Sequence, residues 1–129
     1  MGEEHHSRVS QRLTEEQLET YSRQIVLRDI GYEGQLKLRR AKACIVGLGG
    51  LGCPSAVQLT AMGVGGLRLV DRDVVERSNL QRQHLYDVES IGYPKVEVAA
   101  ERLKKLNPDV KMEPLPLSLN ADNVEEILE

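Results

Sequence analysis

The sequence predicts an α/β protein, with a parallel sheet of about three strands, helices on both faces, and a helical segment ahead of the sheet. Three observations carry this. Ala43-Cys44-Ile45-Val46 is a continuous apolar run followed by glycines, too short for a helix, and reads as a buried parallel strand. From Leu51 to Met62 the apolar residues recur at helical spacing, with Gly63 placed to close the helix. Gly66-Leu67-Arg68-Leu69-Val70 then repeats the strand pattern and ends at Asp71. Strand, helix, strand at this spacing is the crossover unit of a parallel sheet, with the right-handed connection such units take.

The remaining elements follow in order. Residues 1–12 are polar and read as a flexible tail. His5 and His6 lack a third metal ligand and belong to that tail. Residues 13–40 form the helical segment. Thr14 with Gln17 is a capping-box pair that opens a helix through about Gln24. Gly31 and Gly34 punctuate the stretch after it, and Gln35 to Arg40 form a second short helix. Beyond the second strand, Pro94 suits a helix start, with Val96, Ala99, Ala100, Leu103 and Leu106 as the apolar stripe. Asn107-Pro108 stops that helix. A third strand is expected within Lys111 to Leu117, despite Pro114 and Pro116. Asn120 or Asp122 starts a last helix. The whole is half of a doubly wound, Rossmann-like sheet, incomplete at three strands, and it is expected to continue past residue 129 as part of a longer protein.

Composition narrows the function. The chain has 129 residues, 40% hydrophobic and 29% charged, which suits one globular domain. Net charge is −3, Trp and Phe are absent, and no basic stripe appears, so no nucleic-acid partner is expected. No apolar stretch approaches the roughly 20 residues needed to span a bilayer, and the N-terminus lacks a secretory pattern. Cys44 and Cys53 match no zinc or redox spacing. No membrane role follows, and the cytoplasm is the expected compartment.

Gly47-Leu48-Gly49-Gly50-Leu51-Gly52 joins the first strand to its helix. Gly47 allows the tight turn, Gly49 allows close backbone approach, and Gly52 lets the helix pack on the sheet. Phosphate at that helix start would meet free N–H groups and the positive end of the helix dipole. Asp71 lies 19 residues beyond Gly52, at the end of the second strand, where a carboxylate can hold ribose hydroxyls. Residues 41–129 therefore read as a nucleotide-binding half domain. These features alone suit NAD as well as ATP.

The segment from Asp71 to Gln83 separates the two. A dinucleotide site needs a flat slot for nicotinamide, whereas transfer of AMP needs cations and donors over the triphosphate. Asn79, Gln81 and Arg82 supply such donors just beyond the ribose-binding strand. Lys95 adds a charge at the next helix, and Arg23 lies upstream.

Taken together, Tyr21-Ser22-Arg23-Gln24-Ile25, the 47–52 glycine loop, Asp71-Arg72-Asp73, Ser78-Asn79-Leu80-Gln81-Arg82-Gln83 and Gly92-Tyr93-Pro94-Lys95 resemble the adenylation domain of the ThiF/MoeB/HesA family, relatives of the ubiquitin-activating enzymes. They stand in the family order over about residues 14–110. The resemblance implies an adenylyltransferase that activates the C-terminal carboxylate of a ubiquitin-like sulfur carrier with MgATP. It implies Gly50 against the nucleotide and Asp71 on its ribose. Asn79, Arg82 and Lys95 would engage the phosphates, with Ser78 and Gln81 lining the same turn and Asp73 and Leu80 in the same binding set. Arg23 would act across a homodimer interface, so Arg23, Arg82 and Lys95 form the implied catalytic set. The family's Mg²⁺-binding Asp, zinc Cys-x-x-Cys pairs and transfer cysteine are expected further downstream and are absent from these 129 residues.

Other chemistry-bearing residues have plainer readings. Cys44 packs in a strand. Cys53 sits at a helix start, where a thiol pKa falls, yet a small residue beside a glycine loop suits packing. His84 is a polar loop residue. Arg68, Arg72 and Arg77, and likewise Arg102-Leu103-Lys104-Lys105, read as solvated surface. Two other functions compete with the enzyme: a noncatalytic dimerising or partner-binding module, and an NAD(P)-binding oxidoreductase domain.

Overall fold

The computed structural model describes residues 12–25, 30–81 and 83–129. The N-terminal tail with His5 and His6, and Arg82, lie outside them. Three short helices lead: α1 (Glu15–Thr20), α2 (Ser22–Ile25) and α3 (Gly31–Arg40). The sheet then builds as β1 (Lys42–Val46), α4 (Gly52–Met62), β2 (Gly66–Val70), α5 (Lys95–Leu106) and β3 (Lys111–Leu115), and α6 (Val124–Leu128) follows. The strands are parallel in the order β1-β2-β3.

Register decides what each sheet face holds. Ala43, Leu67 and Met112 stand in one row and Ile45, Leu69 and Pro114 in another, on the same face because side chains alternate along a strand. That face packs with Cys53 and Ala56 of α4 and Val96, Ala99 and Leu103 of α5 into an apolar core. The opposite face carries the row Cys44, Arg68, Glu113. Arg68 pairs there with Glu113 at 3.0 Å and also donates to the Ile127 carbonyl of α6. Arg68 is thus tied into the fold rather than solvated. Pro114 is tolerated because β3 is an edge strand, where a missing N–H breaks no ladder on the far side.

The helices start and stop largely where local chemistry requires. Thr14 forms the expected capping box, its hydroxyl accepting from the Gln17 amide while the Gln17 side chain accepts from the Thr14 amide. The helix it opens breaks at Tyr21 instead of running on to Gln24. Gly63 closes α4 in the left-handed conformation, as its position predicts. α3 begins at Gly31, so Gly31 and Gly34 lie inside the second helix rather than ahead of it.

Tyr21 breaks the first helix because it is claimed by the body of the domain. It is buried against Gly63, where a Cβ would stand 2.5 Å from its ring. Its hydroxyl accepts from Asn107 Nδ2 at 2.7 Å and donates to Asp109 at 3.3 Å. Asn107 Nδ2 also donates to the Thr60 carbonyl, and Gln17 reaches Asp109 at 2.9 Å. Gln24 and Gln35 both donate to the Met62 carbonyl. The N-terminal helices therefore cap the C-terminal ends of α4 and α5 through polar contacts. Asn107→Ala removes one hydrogen bond each from the Thr60 carbonyl and the Tyr21 hydroxyl, which keep the Gly63 amide and Asp109 as partners, and unfolding in urea should show a loss of about 1–3 kcal/mol for the two bonds together. An unchanged midpoint would mean this network contributes nothing net.

Candidate functional site

The site lies at the C-terminal ends of β1 and β2, where ligands bind in open α/β sheets. Gly47 leaves β1 with φ +95, a conformation that side chains rarely adopt, and its N–H donates to the Val70 carbonyl at 2.8 Å. Gly52 sits so close to Gly47 that a Cβ there would stand 1.9 Å from the Gly47 carbonyl oxygen. Both glycines are thus required by backbone geometry. Gly49 differs, since a Cβ on it would meet only the Gln83 side chain at 3.9 Å. Room at Gly49 is free for a ligand rather than filled by protein.

This loop presents donors. The amides of Gly49, Gly50, Leu51 and Gly52 find no partner among the described residues, and Leu51, which caps α4, gives it no side-chain cap. Leu51 is 88% exposed beside them, and Gly50 is exposed as well. Four N–H groups without a partner among the described residues stand at the start of an 11-residue helix, where the helix dipole favours negative charge.

Asp71 anchors the loop from below. One carboxylate oxygen accepts from the Leu48 amide and the other from the Asp73 amide, each at 2.7 Å. Its remaining lone pairs can still accept from ribose hydroxyls. Residues 71–94 then fold back on themselves: Val75 exchanges hydrogen bonds with Gly92 and Tyr93, and the Lys95 amide donates to the Asp73 carbonyl at 3.0 Å. That return delivers Lys95 to the first position of α5. Its side chain is only 6% exposed, forms no ion pair with a described residue, and holds its ammonium 5.9 Å from the centre of the Tyr86 ring.

The intervening turn holds the other expected residues. Asn79 is buried, and its Oδ1 accepts from the Glu76 amide at 2.8 Å, so one end of its side chain builds the turn while Nδ2 keeps its donors. Ser78 and Gln81 are exposed on the same turn, and Leu80 packs toward the core. Asp73 is exposed beside Asp71. Arg82 lies outside the described residues. Arg23 is exposed, but its helix docks at the far end of α4, which rises about 16 Å from the glycine loop. One chain therefore does not bring Arg23 to its own loop.

Two site-forming residues lie outside the set expected from sequence. Gln83 is 2% exposed against Gly49, and its Oε1 has no hydrogen-bond partner. Tyr86 is buried and donates from its hydroxyl to the Leu48 carbonyl at 2.8 Å. Cys53 donates to that same carbonyl at 3.3 Å. Burial pushes the Cys53 thiol up, outweighing the lowering by the Tyr86 contact and by Lys95, so the fall expected at a helix start does not occur. Its packing role stands. Burial likewise raises Cys44. His84 is exposed, as expected of a loop residue. Arg102, expected as solvated, instead donates to the Leu85 carbonyl and to Asp87 at 2.6 Å, while Leu103 is core. The Arg102 hydrogen bond holds the Asp87 carboxyl below its ordinary range.

Comparison with known proteins gives a consistent result. The chain is 49% identical over 117 residues to a sulfur carrier protein adenylyltransferase of Thermus thermophilus, covering 91% of this chain and 43% of that protein. It is 47% identical over 112 residues to a SAMP-activating enzyme E1 of Haloferax volcanii, covering 87% of this chain and 42% of that protein. Among solved structures, the Escherichia coli tRNA N6-threonylcarbamoyladenosine dehydratase in complex with ATP superposes with a TM-score of 0.83 at 28% identity, over 89% of this chain and 46% of that one. The chain thus spans less than half the length of the curated relatives it matches. The ThiF family model matches residues 21–129, and the chain belongs to the ThiF family.

Proposed function

We propose that this chain is the nucleotide-binding portion of an adenylyltransferase that activates the C-terminal carboxylate of a ubiquitin-like sulfur carrier with MgATP. The observation that carries the reading is the row of four free amides at the start of α4, together with a buried lysine that forms no ion pair with a described residue. An anion with several oxygens has the chemistry to engage both. The named relatives, a sulfur carrier adenylyltransferase and an activating enzyme, support this choice of anion and acceptor.

In the reaction a carrier carboxylate oxygen attacks the α-phosphorus. The bond to the bridging oxygen breaks, pyrophosphate leaves, and an acyl-adenylate remains. The protein's work is to orient and to stabilise charge. The amides of Gly49, Gly50, Leu51 and Gly52 would cradle phosphate oxygens. Asp71 would hold the ribose, with Asp73 at its margin. Lys95, Arg82 and the Asn79 amide would offset charge building on the leaving pyrophosphate, with Ser78, Leu80 and Gln81 shaping the turn that carries Asn79. Among the described residues no group of three or more His, Cys, Asp or Glu could hold a metal. Magnesium belongs to the nucleotide substrate here, and no step is assigned to these residues through it.

Arg23 fits a homodimer in which it reaches the partner's triphosphate, because its own loop is out of reach. No helix among the described residues is long and apolar enough to cross a membrane. Free Cys44 and Cys53 suit a reducing cytosol. Residues 41–129 form the nucleotide-binding unit in this reading and residues 13–40 its helical cap.

Calorimetric titration with MgATP, and separately with NAD⁺, tests the nucleotide. MgATP should bind, NAD⁺ should be silent, and Arg82→Ala should weaken MgATP about tenfold or more. In the complete protein, exchange of pyrophosphate into ATP should require a carrier ending in glycine and fall about 10²–10³-fold in Arg82→Ala. Tight NAD⁺ binding indifferent to Arg82 would overturn the reading.

A further inference from the structure

We propose that Tyr86 is a positioning residue that couples the two phosphate-binding parts of this site, fixing the glycine loop with its hydroxyl and Lys95 with its ring. The inference rests on the nucleotide reading above and adds to it a residue outside the expected site set.

The Leu48 backbone is the hub. Its amide donates to Asp71 at 2.7 Å, and its carbonyl accepts from Tyr86 at 2.8 Å and from Cys53 at 3.3 Å. Three side chains from separate parts of the chain thus hold the two peptide groups that flank the Leu48 Cα, with Leu48 itself fully buried. The next residues are Gly49 and Gly50, which have no side chains to hold them and whose amides are free. A stretch of glycine loses the most conformational freedom on ordering, so its conformation must be imposed from the ends. Gly52 against Gly47 imposes it by contact, and the Leu48 clamp imposes it by hydrogen bonds.

The other end of Tyr86 meets the lysine. The Lys95 ammonium sits 5.9 Å from the ring centre, within the range of a cation–π contact. A lysine stem has four rotatable carbons, and Lys95 has no ion pair with a described residue to select one arrangement. The ring face supplies that selection without neutralising the charge, which stays available to phosphate. Burial pushes the Tyr86 phenol well up, so the hydroxyl remains protonated and donating at any working pH. One rigid side chain therefore sets the distance between the amide row and the ammonium. Gln83 stands on the same turn, its carbonyl accepting from the Tyr86 amide at 3.2 Å, which ties Tyr86 to the wall beside Gly49.

Tyr86→Phe separates the two halves of the claim, since it removes the hydroxyl and keeps the ring. Hydrogen exchange in the nucleotide-free chain should speed up at the Gly47, Leu48 and Cys53 amides by about fivefold, with the β2–β3 ladder unchanged. MgATP affinity should weaken by a similar factor. Tyr86→Leu, which removes the ring as well, should weaken MgATP further and raise the reactivity of Lys95 toward an amine-acylating reagent, whereas Tyr86→Phe should leave that reactivity as it is. Loss of protection spread evenly over the domain, with MgATP affinity unchanged, would make Tyr86 merely structural and overturn the proposal. A chain that binds no MgATP, yet shows the local exchange and reactivity changes, would overturn the nucleotide reading and leave the clamp standing.

Discussion

Gly52→Ala should abolish measurable nucleotide binding, while Gly49→Ala should weaken binding and leave the empty protein as stable as before. The two glycines look alike in the sequence and differ in what surrounds them. A Cβ on Gly52 would stand 1.9 Å from the Gly47 oxygen and 2.9 Å from its carbonyl carbon, both backbone atoms that cannot swing aside. The loop or the start of α4 must shift by an ångström or more. A displacement of that size costs about 10²-fold where geometry governs a site, and here it also pulls on the Leu48 clamp. A Cβ on Gly49 meets only one atom at 3.9 Å, at the end of the Gln83 side chain. That methyl group occupies space that the proposed nucleotide needs and no protein atom uses. Calorimetry with MgATP beside thermal melts of the empty variants reads both. Equal melting losses in the two variants, or wild-type affinity in Gly52→Ala, would show that this loop does not work as described.

The contrast also shows what was legible in the sequence and why. The Gly47–Gly52 loop and Asp71 could be read because each answers a local demand: a turn, a packing contact, a helix start, a strand end. The capping box at Thr14 and the closing Gly63 are local in the same sense, and both stand as expected. Tyr86 and Gln83 were not legible as site residues. Tyr86 reaches a carbonyl 38 positions away, and nothing near it in the chain marks that partner. Tyr21 illustrates the same limit in the fold. Helix periodicity runs through it, but Asn107 and Asp109, 86 and 88 positions on, take its hydroxyl and end α1 early. The start of α3 is misplaced because propensity counts against glycine in a helix: Gly31 opens it with φ +61, a conformation that favours glycine, and Gly34 is carried inside it at a cost of about 1 kcal/mol. Arg68 and Arg102 read as solvated because each pairs with a residue far away in the sequence: Glu113 on the neighbouring strand, and Asp87 in a folded-back loop.

Lys95→Met should separate stability from function in opposite directions. Lys95 is 6% exposed, has no ion pair among the described residues, and holds its ammonium over the Tyr86 ring. Methionine has nearly the same length and fills the space with an apolar, adaptable stem. Replacing buried charged groups by apolar side chains of similar volume is often neutral or stabilising. The variant should therefore melt at or above the wild-type temperature. Its affinity for MgATP should fall, and pyrophosphate exchange by the complete protein should drop about 10²–10³-fold, the usual cost of one well-placed charge-stabilising group. A lysine retained only for packing would give no such split, since methionine packs as well. Gain of stability with loss of function is the signature of a charge held at a site for a ligand. A variant that loses stability while keeping MgATP affinity would assign Lys95 to the fold and remove it from the phosphate site.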